Sequence, residues 1–497
     1  MACLPHAQTE PLVLALGGSS ALATRPQLER FRYIFRCARC PLLAKRKGSK
    51  DGKGTFALAS RCAHPRDPAP VFLRIPSLTK VRRLPTRVIL AGGIAASAIG
   101  WAPSFAAAPA AAPPVSIALR ETFDVWDNVA GGVRTGVVAL NKLQISGTVQ
   151  GEHFGFPGFS AHAQAFRTDG SSLSERVGDI QTASNIEALP TFRLFESWID
   201  KRFGDDRRSF AIRAGLMDLN SDFDSVQAAS LFINSSHGIG PDLSRSGRNG
   251  PSIFPVSALG VRLSWLPSTR WTFRVAAFDG VPGDPQRPRA FVSVRLAPGD
   301  GALTIAQADY HISENAKIEV GAWRYSASTE PISPTMTDRQ HDKGFYASIE
   351  GPIPGTHGWS AWLRAGAADR QAQSVSSYLG GGVVSQGLLR GRPDDRLGLA
   401  IARAGIGAPA SAALGVSRAE TTLELSYQYK VHNTLAVQPD VQWINHPAGV
   451  EGARSALVLG LRIVLTTGFP RQAPATDAAD PTVPPDGPQP TEPSSSQ

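Results

Sequence analysis

SALVLGLRIVLT, residues 455–466, alternates without a break. Leu457, Leu459, Leu461, Ile463 and Leu465 fall on one face of an extended chain, and Ala456, Val458, Gly460, Arg462 and Val464 on the other. Successive side chains of a strand point to opposite sides, so a period of two spells a β-strand with one apolar face. TLAVQPDVQWI (434–444) sets Leu435, Val437, Pro439, Val441 and Trp443 against Ala436, Gln438, Asp440 and Gln442. TTLELSYQY (421–429) sets Leu423, Leu425, Tyr427 and Tyr429 against Thr422, Glu424, Ser426 and Gln428. Working back, similar segments recur near 120, 140, 160, 195, 210, 260, 273, 292, 305, 320, 347, 361, 380 and 399, between turn-forming clusters. No comparable helical stripe interrupts them, so the chain is all-β.

A soluble sandwich also alternates, with its apolar faces meeting in a core. Two features favour a transmembrane antiparallel β-barrel, whose apolar faces meet lipid and whose polar faces line a lumen. The segments run to about 9–12 residues, enough for a tilted crossing, whereas strands of globular proteins are mostly nearer 5–6. Aromatics also gather near segment ends, as interfacial girdles require. In ALGVRLSWLPSTRWTFRVAAF (258–278), a turn centred on Ser268 sets Trp265 opposite Trp271, Leu263 opposite Phe273, and Arg262 opposite Arg274. Bacterial single-chain barrels use even strand numbers, so about 16 strands are expected, with the first segment left outside. A barrel of that size encloses an aqueous channel.

Charge is distributed unevenly. The whole chain carries +10, but residues 1–110 hold +13 and the remainder −3, which removes nucleic acid as an expected partner. All four cysteines (Cys3, Cys37, Cys40, Cys62) lie in that head. Cys37, Cys40, Cys62 and His64 offer zinc-type donors without the paired spacing of a structural zinc site. LTKVRRLPTRVILAGGIAASAIGWAPSFAAAPAAAPP reads as a secretory signal: basic residues, an apolar run from Val88, then small residues suited to cleavage. Its place in the chain suggests a translation start near Leu78 or Val81. The expected organisation is a presequence over 1–77, a signal peptide over 78–108, an N-terminal segment over 109–128, a barrel over 129–469 and a Pro-rich disordered tail over 470–497.

An open tube of this width is unselective, so a constriction is expected, and long loops in compact folds are usually functional. LFINSSHGIGPDLSRSGRNGPSIFP (231–255) suits an inward-folded loop. Asn234, Ser235, Asn249 and Ser252 are hydroxyl and amide partners, and Arg245 and Arg248 are donors. By alternation Arg213, Arg262, Arg274, Arg364 and Arg462 face the lumen. Residues 111–497 hold 29 Arg and only 5 Lys, and a planar guanidinium can offer a sugar several fixed donors. No nucleophile-base set, phosphate loop or metal box stands out. GGG at 380–382 lacks the Lys-Ser/Thr of a phosphate loop, and Asp222 and Asp224 lack the rest of a calcium loop. No enzyme activity, cofactor or metal is expected.

The same residues carry a family likeness. RLFESWIDKRFGDDRRSFAIRAGLMDLNSDF (193–223), the loop 231–255 with VSALGVRL after it, GRPDDRLGLAIA (391–402) and ETTLELSYQYKVHNTLAVQPDVQWINHPAG with ALVLGLRIVL at the end occur in this order. Together they resemble the carbohydrate-selective outer-membrane porin family of the OprB type. The resemblance implies a 16-stranded barrel with an eyelet lined by Arg, acidic and aromatic residues, passing glucose and similar sugars by facilitated diffusion. It points to Glu196, Trp198, Arg213 and Arg262 on the strands and to Asn249 and Ser252 in the loop. It also implies outer-membrane lipid and the barrel-assembly machinery as partners, and it leaves monomer and homo-oligomer both open. One departure is that Phe469 is followed by 28 residues, where the family usually finishes on the barrel's terminal aromatic.

Overall fold

The computed structural model describes residues 113–450 and 453–470. The presequence, the signal segment, the cysteine cluster and the Pro-rich tail lie outside them. Sixteen strands form one closed antiparallel barrel, each bonded to its sequence neighbours and the first to the last. They are β1 (Val115–Ala130), β2 (Gly136–Gln150), β3 (Phe159–Gly170), β4 (Thr191–Gly204), β5 (Ser209–Met217), β6 (Ala258–Ser268), β7 (Trp271–Asp279) and β8 (Ala302–Ser313). The second half is β9 (Ala316–Thr329), β10 (Gln340–Pro352), β11 (Trp359–Ala368), β12 (Val375–Gln386), β13 (Arg396–Ile406), β14 (Ala419–His432), β15 (Leu435–Asn445) and β16 (Ala456–Phe469).

Alternation chooses the wet face as expected. On β16, Leu459, Leu461 and Leu465 are 43%, 41% and 49% exposed on the outside, while Val458 and Arg462 are buried on the inside. The closed ring leaves no strand edge unpaired, a condition for crossing hydrocarbon. Glycine lets bulky rings lie flat on the inner wall. A Cβ on Gly460 would sit 2.2 Å from the Trp126 ring, and one on Gly380 would meet the Tyr378 hydroxyl at 2.1 Å.

Three expectations are corrected. The first segment belongs to the barrel: β1 pairs with β16 from Ile117↔Phe469 to Ala130↔Leu457, so residues 115–128 are wall. Glu121 and Asp127 interrupt its apolar face, which weakened the pattern, yet without β1 both β16 and β2 would present open edges to lipid. The surplus segment is instead the one near 292. It alternates in sequence but runs as an irregular stretch, where Phe291 O accepts from Leu194 N and Phe291 packs on Phe192. Finally, the hairpin of β6 and β7 turns one position later than Ser268, with an irregularity between Trp265 and Ser268. Arg262 therefore faces Ala276, Leu263 faces Val275, Ser264 faces Arg274 and Trp265 faces Phe273. The slip moves each partner by two residues, so every side chain keeps its face and only its neighbour changes.

Short turns close one end of the barrel and longer connections the other. Two of the long connections fold inward. Residues 218–257, between β5 and β6, cross to β14 and β15, nearly opposite β5 in the ring. There Glu424 accepts from Ile233 N at 2.5 Å and Asn234 N at 3.1 Å, and Gln438 Nε2 donates to Leu231 O at 2.6 Å. Residues 171–190, between β3 and β4, are the second, an insertion the sequence did not reveal. Glu420 accepts from Ile180 N at 2.9 Å and Gln181 N at 3.0 Å. The loops also bond to each other, Ser235 N to Thr182 O at 3.0 Å and Asn185 N to Ile233 O at 2.9 Å. Apolar side chains seal them to the wall: Leu173, Val177 and Ile233 beside Trp126, Val138 and Leu140, and Leu231 and Phe232 beside Trp362, Val384 and Ala400.

Candidate functional site: a guanidinium-carboxylate cluster beside the folded-in loop

Arg213 on β5 and Arg262 on β6 are register partners, both inward, and Asp200 on β4 is the partner of Arg213 on its other side. Neighbouring guanidiniums repel unless anions sit between them. Two do. Asp200 Oδ2 lies 3.2 Å from Arg213 Nε and 3.1 Å from Arg262 Nη2. Asp222 Oδ2, brought in by the loop, lies 3.2 Å from Arg213 Nη1 and 3.4 Å from Arg262 Nε. Burial works to raise the Asp222 carboxyl, but Arg262, Arg213 and Arg274 outweigh it and hold it below the usual carboxylate range.

Aromatic and polar groups frame these charges. The Arg213 guanidinium stacks 3.8 Å above the Trp198 ring. His162 lies on that indole with centroids 5.0 Å apart, and Thr148 Oγ1 is 2.9 Å from His162 Nδ1. Trp198 Nε1 donates to Glu196 Oε1 at 3.3 Å, and so does Asp218 N at 3.2 Å. On the other flank Arg274 pairs with Asp309, which also accepts from Gln307 Nε2 at 2.7 Å. The Arg274 side chain is 24% exposed, the most open of these guanidiniums.

The five arginines expected on the inner face therefore divide. Arg213, Arg262 and Arg274 gather at this cluster with Glu196 and Trp198. Arg364 and Arg462 are buried elsewhere, as loop anchors. Arg364 grips Asp224 bidentately at 3.0 and 2.7 Å and reaches Asp242 with its remaining nitrogen. Arg462 holds Asp124 bidentately at 2.7 and 2.8 Å, and Asp124 accepts from Ser184 Oγ of the shorter loop at 2.8 Å.

Most of the expected loop residues hold the loop in shape. Asn234 Nδ2 donates to Gln442 Oε1 at 3.1 Å, and Asn234 Oδ1 accepts from Ser236 N. Ser252 Oγ donates to Met217 O and accepts from Ala258 N, both at 2.6 Å. Arg245 Nε donates to Ile180 O at 3.1 Å, Arg248 lies 3.4 Å from Asp300, and Asn249 Nδ2 donates to Pro282 O at 2.7 Å. Ser235 is half-buried where the two loops meet. His237 is packed between Phe232 and Trp362, and burial takes its imidazole down to about 3, so it stays neutral. Sequence reasoning missed Asp200 and Asp309, and it weighed Asp222 only as a calcium-type residue and not as a partner of Arg213 and Arg262. Asp200 and Asp309 sit at inward positions of alternating strands, so parity could have flagged them. Among the described residues no cluster of His, Cys, Asp and Glu is arranged to hold a metal.

A closed sixteen-strand barrel with a loop folded across its lumen defines a porin, a channel and not an enzyme. The model of the family described as "Carbohydrate-selective porin, OprB family" matches residues 150–466, and the chain belongs to that family. The high-pH structure of Pseudomonas putida OprB has 19% identity and a TM-score of 0.63, covering 71% of this chain and 94% of that one. The low-pH structure of the same protein has 16% identity and a TM-score of 0.44, covering 71% and 93%. The outer-membrane channel DcaP of Acinetobacter baumannii has 10% identity and a TM-score of 0.45, covering 71% and 97%. No curated protein matches the sequence. Family and fold together make the chain a carbohydrate porin of the outer membrane.

Proposed function

We propose that the chain passes small neutral sugars such as glucose by facilitated diffusion, through a constriction lined by Arg213, Arg262, Arg274, Asp200, Asp222, Asp309, Glu196 and Trp198. The charge balance of the central six residues supports this reading. Three guanidiniums meet three carboxylates, so the cluster carries little net charge, and Arg274, its most open member with a side chain 24% exposed, is the donor best placed to meet a solute. A net-positive ring would draw anions, whereas a neutral lattice of fixed donors and acceptors suits a polyhydroxylated neutral solute. Sugars would exchange hydrogen bonds with water for hydrogen bonds to the lattice, with no covalent bond made or broken.

Single-channel recordings in a planar bilayer test this. Glucose should reduce the ion current in a concentration-dependent way, and liposomes should swell faster in glucose than in gluconate. Faster swelling in gluconate, with no current block by glucose, would replace this reading with an anion-preferring porin.

A further inference from the structure

Arg324 on β9 and Lys343 on β10 are register partners, and both lie on the outside of the barrel. Arg324 shares its face with the exposed Val320, and Lys343 shares its face with the exposed Phe345, whereas Trp323, Tyr325 and Tyr346 are buried on the inside. Like charges directly opposite each other across a seam repel. Within the lumen Asp200 and Asp222 relieve that repulsion between Arg213 and Arg262. Outside, nothing does so for Arg324 and Lys343. Among the described residues neither side chain has a hydrogen bond or an ion pair, and no outward position of β8, β9 or β10 carries a carboxylate. Asp369, whose N–H donates to Lys343 O at 2.9 Å, turns its own carboxylate to Gln371 N at 2.9 Å.

The pair stands at the end of the wall from which β9 runs into residues 330–339 and back into β10. Longer connections of such barrels face the cell exterior, so these cations lie at the outer leaflet. Toward the membrane centre the wall is hollow. Leu263, Phe273, Val275, Ala306, Ala308 and Ala322 line an apolar groove of about 600 Å³ on the outside of β6–β9. Arg324 follows Ala322 by two residues on the same face, and its register partner Thr304 stands two residues from Ala306. The groove therefore ends beside two unpaired cations.

We propose that this is a binding site for a phosphorylated glycolipid of the outer leaflet, with a phosphate between Arg324 and Lys343 and an acyl chain in the groove. Hydrocarbon contact alone explains neither the unpaired charges nor their position at the head of a groove. A phosphate monoester brings enough negative charge to offset both cations, and the guanidinium offers it two parallel N–H donors beside the ammonium. A zwitterionic headgroup would bring its own cation to a place that already holds two. A neutral one would leave the repulsion standing. The inference rests on the chain spanning the outer membrane as a barrel, not on the solute it passes.

Native mass spectrometry of the full chain in a neutral detergent tests it, with lipid A bearing both of its phosphates as the probe. The unaltered protein should retain the probe, and Arg324→Gln with Lys343→Gln should lower retention about tenfold or more, the scale of two cations near an anionic lipid. Arg403→Gln removes an exposed cation from β13 and should change little. Dephosphorylated lipid A should bind the unaltered protein as weakly as intact lipid A binds the double variant, a comparison that holds whatever the substitutions do to folding. Excess inorganic phosphate should not displace the lipid. Heat-dependent gel mobility reports whether each variant is a folded barrel. Undiminished retention in a folded double variant, an equal loss in the Arg403 variant, equal retention of dephosphorylated lipid A, or displacement by inorganic phosphate would each overturn the proposal.

Discussion

Arg213 and Arg262 face each other across the β5–β6 seam and hold the same two carboxylates, Asp200 and Asp222. Three of the four come from the wall, and Asp222 comes from the folded-in loop. The cluster therefore fixes loop position and local charge together, and changing one partner should disturb both.

Removing one charge should change ion preference with a definite sign. Asp222→Asn leaves the cluster more positive and should shift the reversal potential in a salt gradient toward anions; Arg262→Ala should shift it toward cations. One unit charge at about 4 Å is worth ~1 kcal/mol even in bulk water, so a several-fold change in permeability ratio is expected. If both variants shift the potential in the same direction, or neither does, the cluster does not border the ion path.

Arg364 should act as the latch of the long loop. Arg364→Met leaves Asp224 and Asp242 buried without their cation, a loss on the order of 3–5 kcal/mol for a broken buried pair. Burial already raises the Asp242 carboxyl, with Arg364 as the main opposing influence. Amide exchange across residues 219–245 should quicken markedly and channel noise should rise. Adding Asp224→Asn and Asp242→Asn should recover much of the protection, because no charge is then stranded.

The shorter loop should loosen as pH rises. Its Glu187 carboxyl is pushed up from 4.5 to about 7, chiefly by burial and further by Asp179, against the Ser172 hydroxyl and the N–H groups of Ser174 and Leu173. The folded loop thus binds this proton more tightly than the unfolded chain. Its contribution is complete below pH about 4.5 and is lost as pH passes through about 7, on the order of 1–3 kcal/mol. Exchange at Leu173 and Ser174, corrected for the intrinsic rate, should be faster at pH 8 than at pH 5. Glu187→Gln should flatten that difference.

Barrel closure should depend on Gly460. A larger side chain there would collide with the Trp126 ring on β1, so Gly460→Val should reduce the heat-resistant folded fraction. Overpacking of this kind typically costs about 1–3 kcal/mol. Trp126→Ala in the same chain should relieve part of the defect; a fully folded Gly460→Val barrel would show that the ring moves aside freely.

The sequence by itself determined which face of nearly every strand is wet, because side-chain direction has a period of two and lipid and water sort residues along it. From that follow the class of fold, the strand number and the inward placement of Arg213, Arg262, Arg274, Arg364 and Arg462. Tertiary structure decided what those arginines do. Whether a guanidinium joins the cluster, like Arg213, or anchors a loop, like Arg364, depends on a carboxylate distant in sequence, and no local pattern encodes that distance. The same holds for β1, whose mixed face left it outside the expected barrel until β16 supplied its partner. It holds also for the β6–β7 register, where a one-position shift of the turn changed each neighbour while every side chain kept its face.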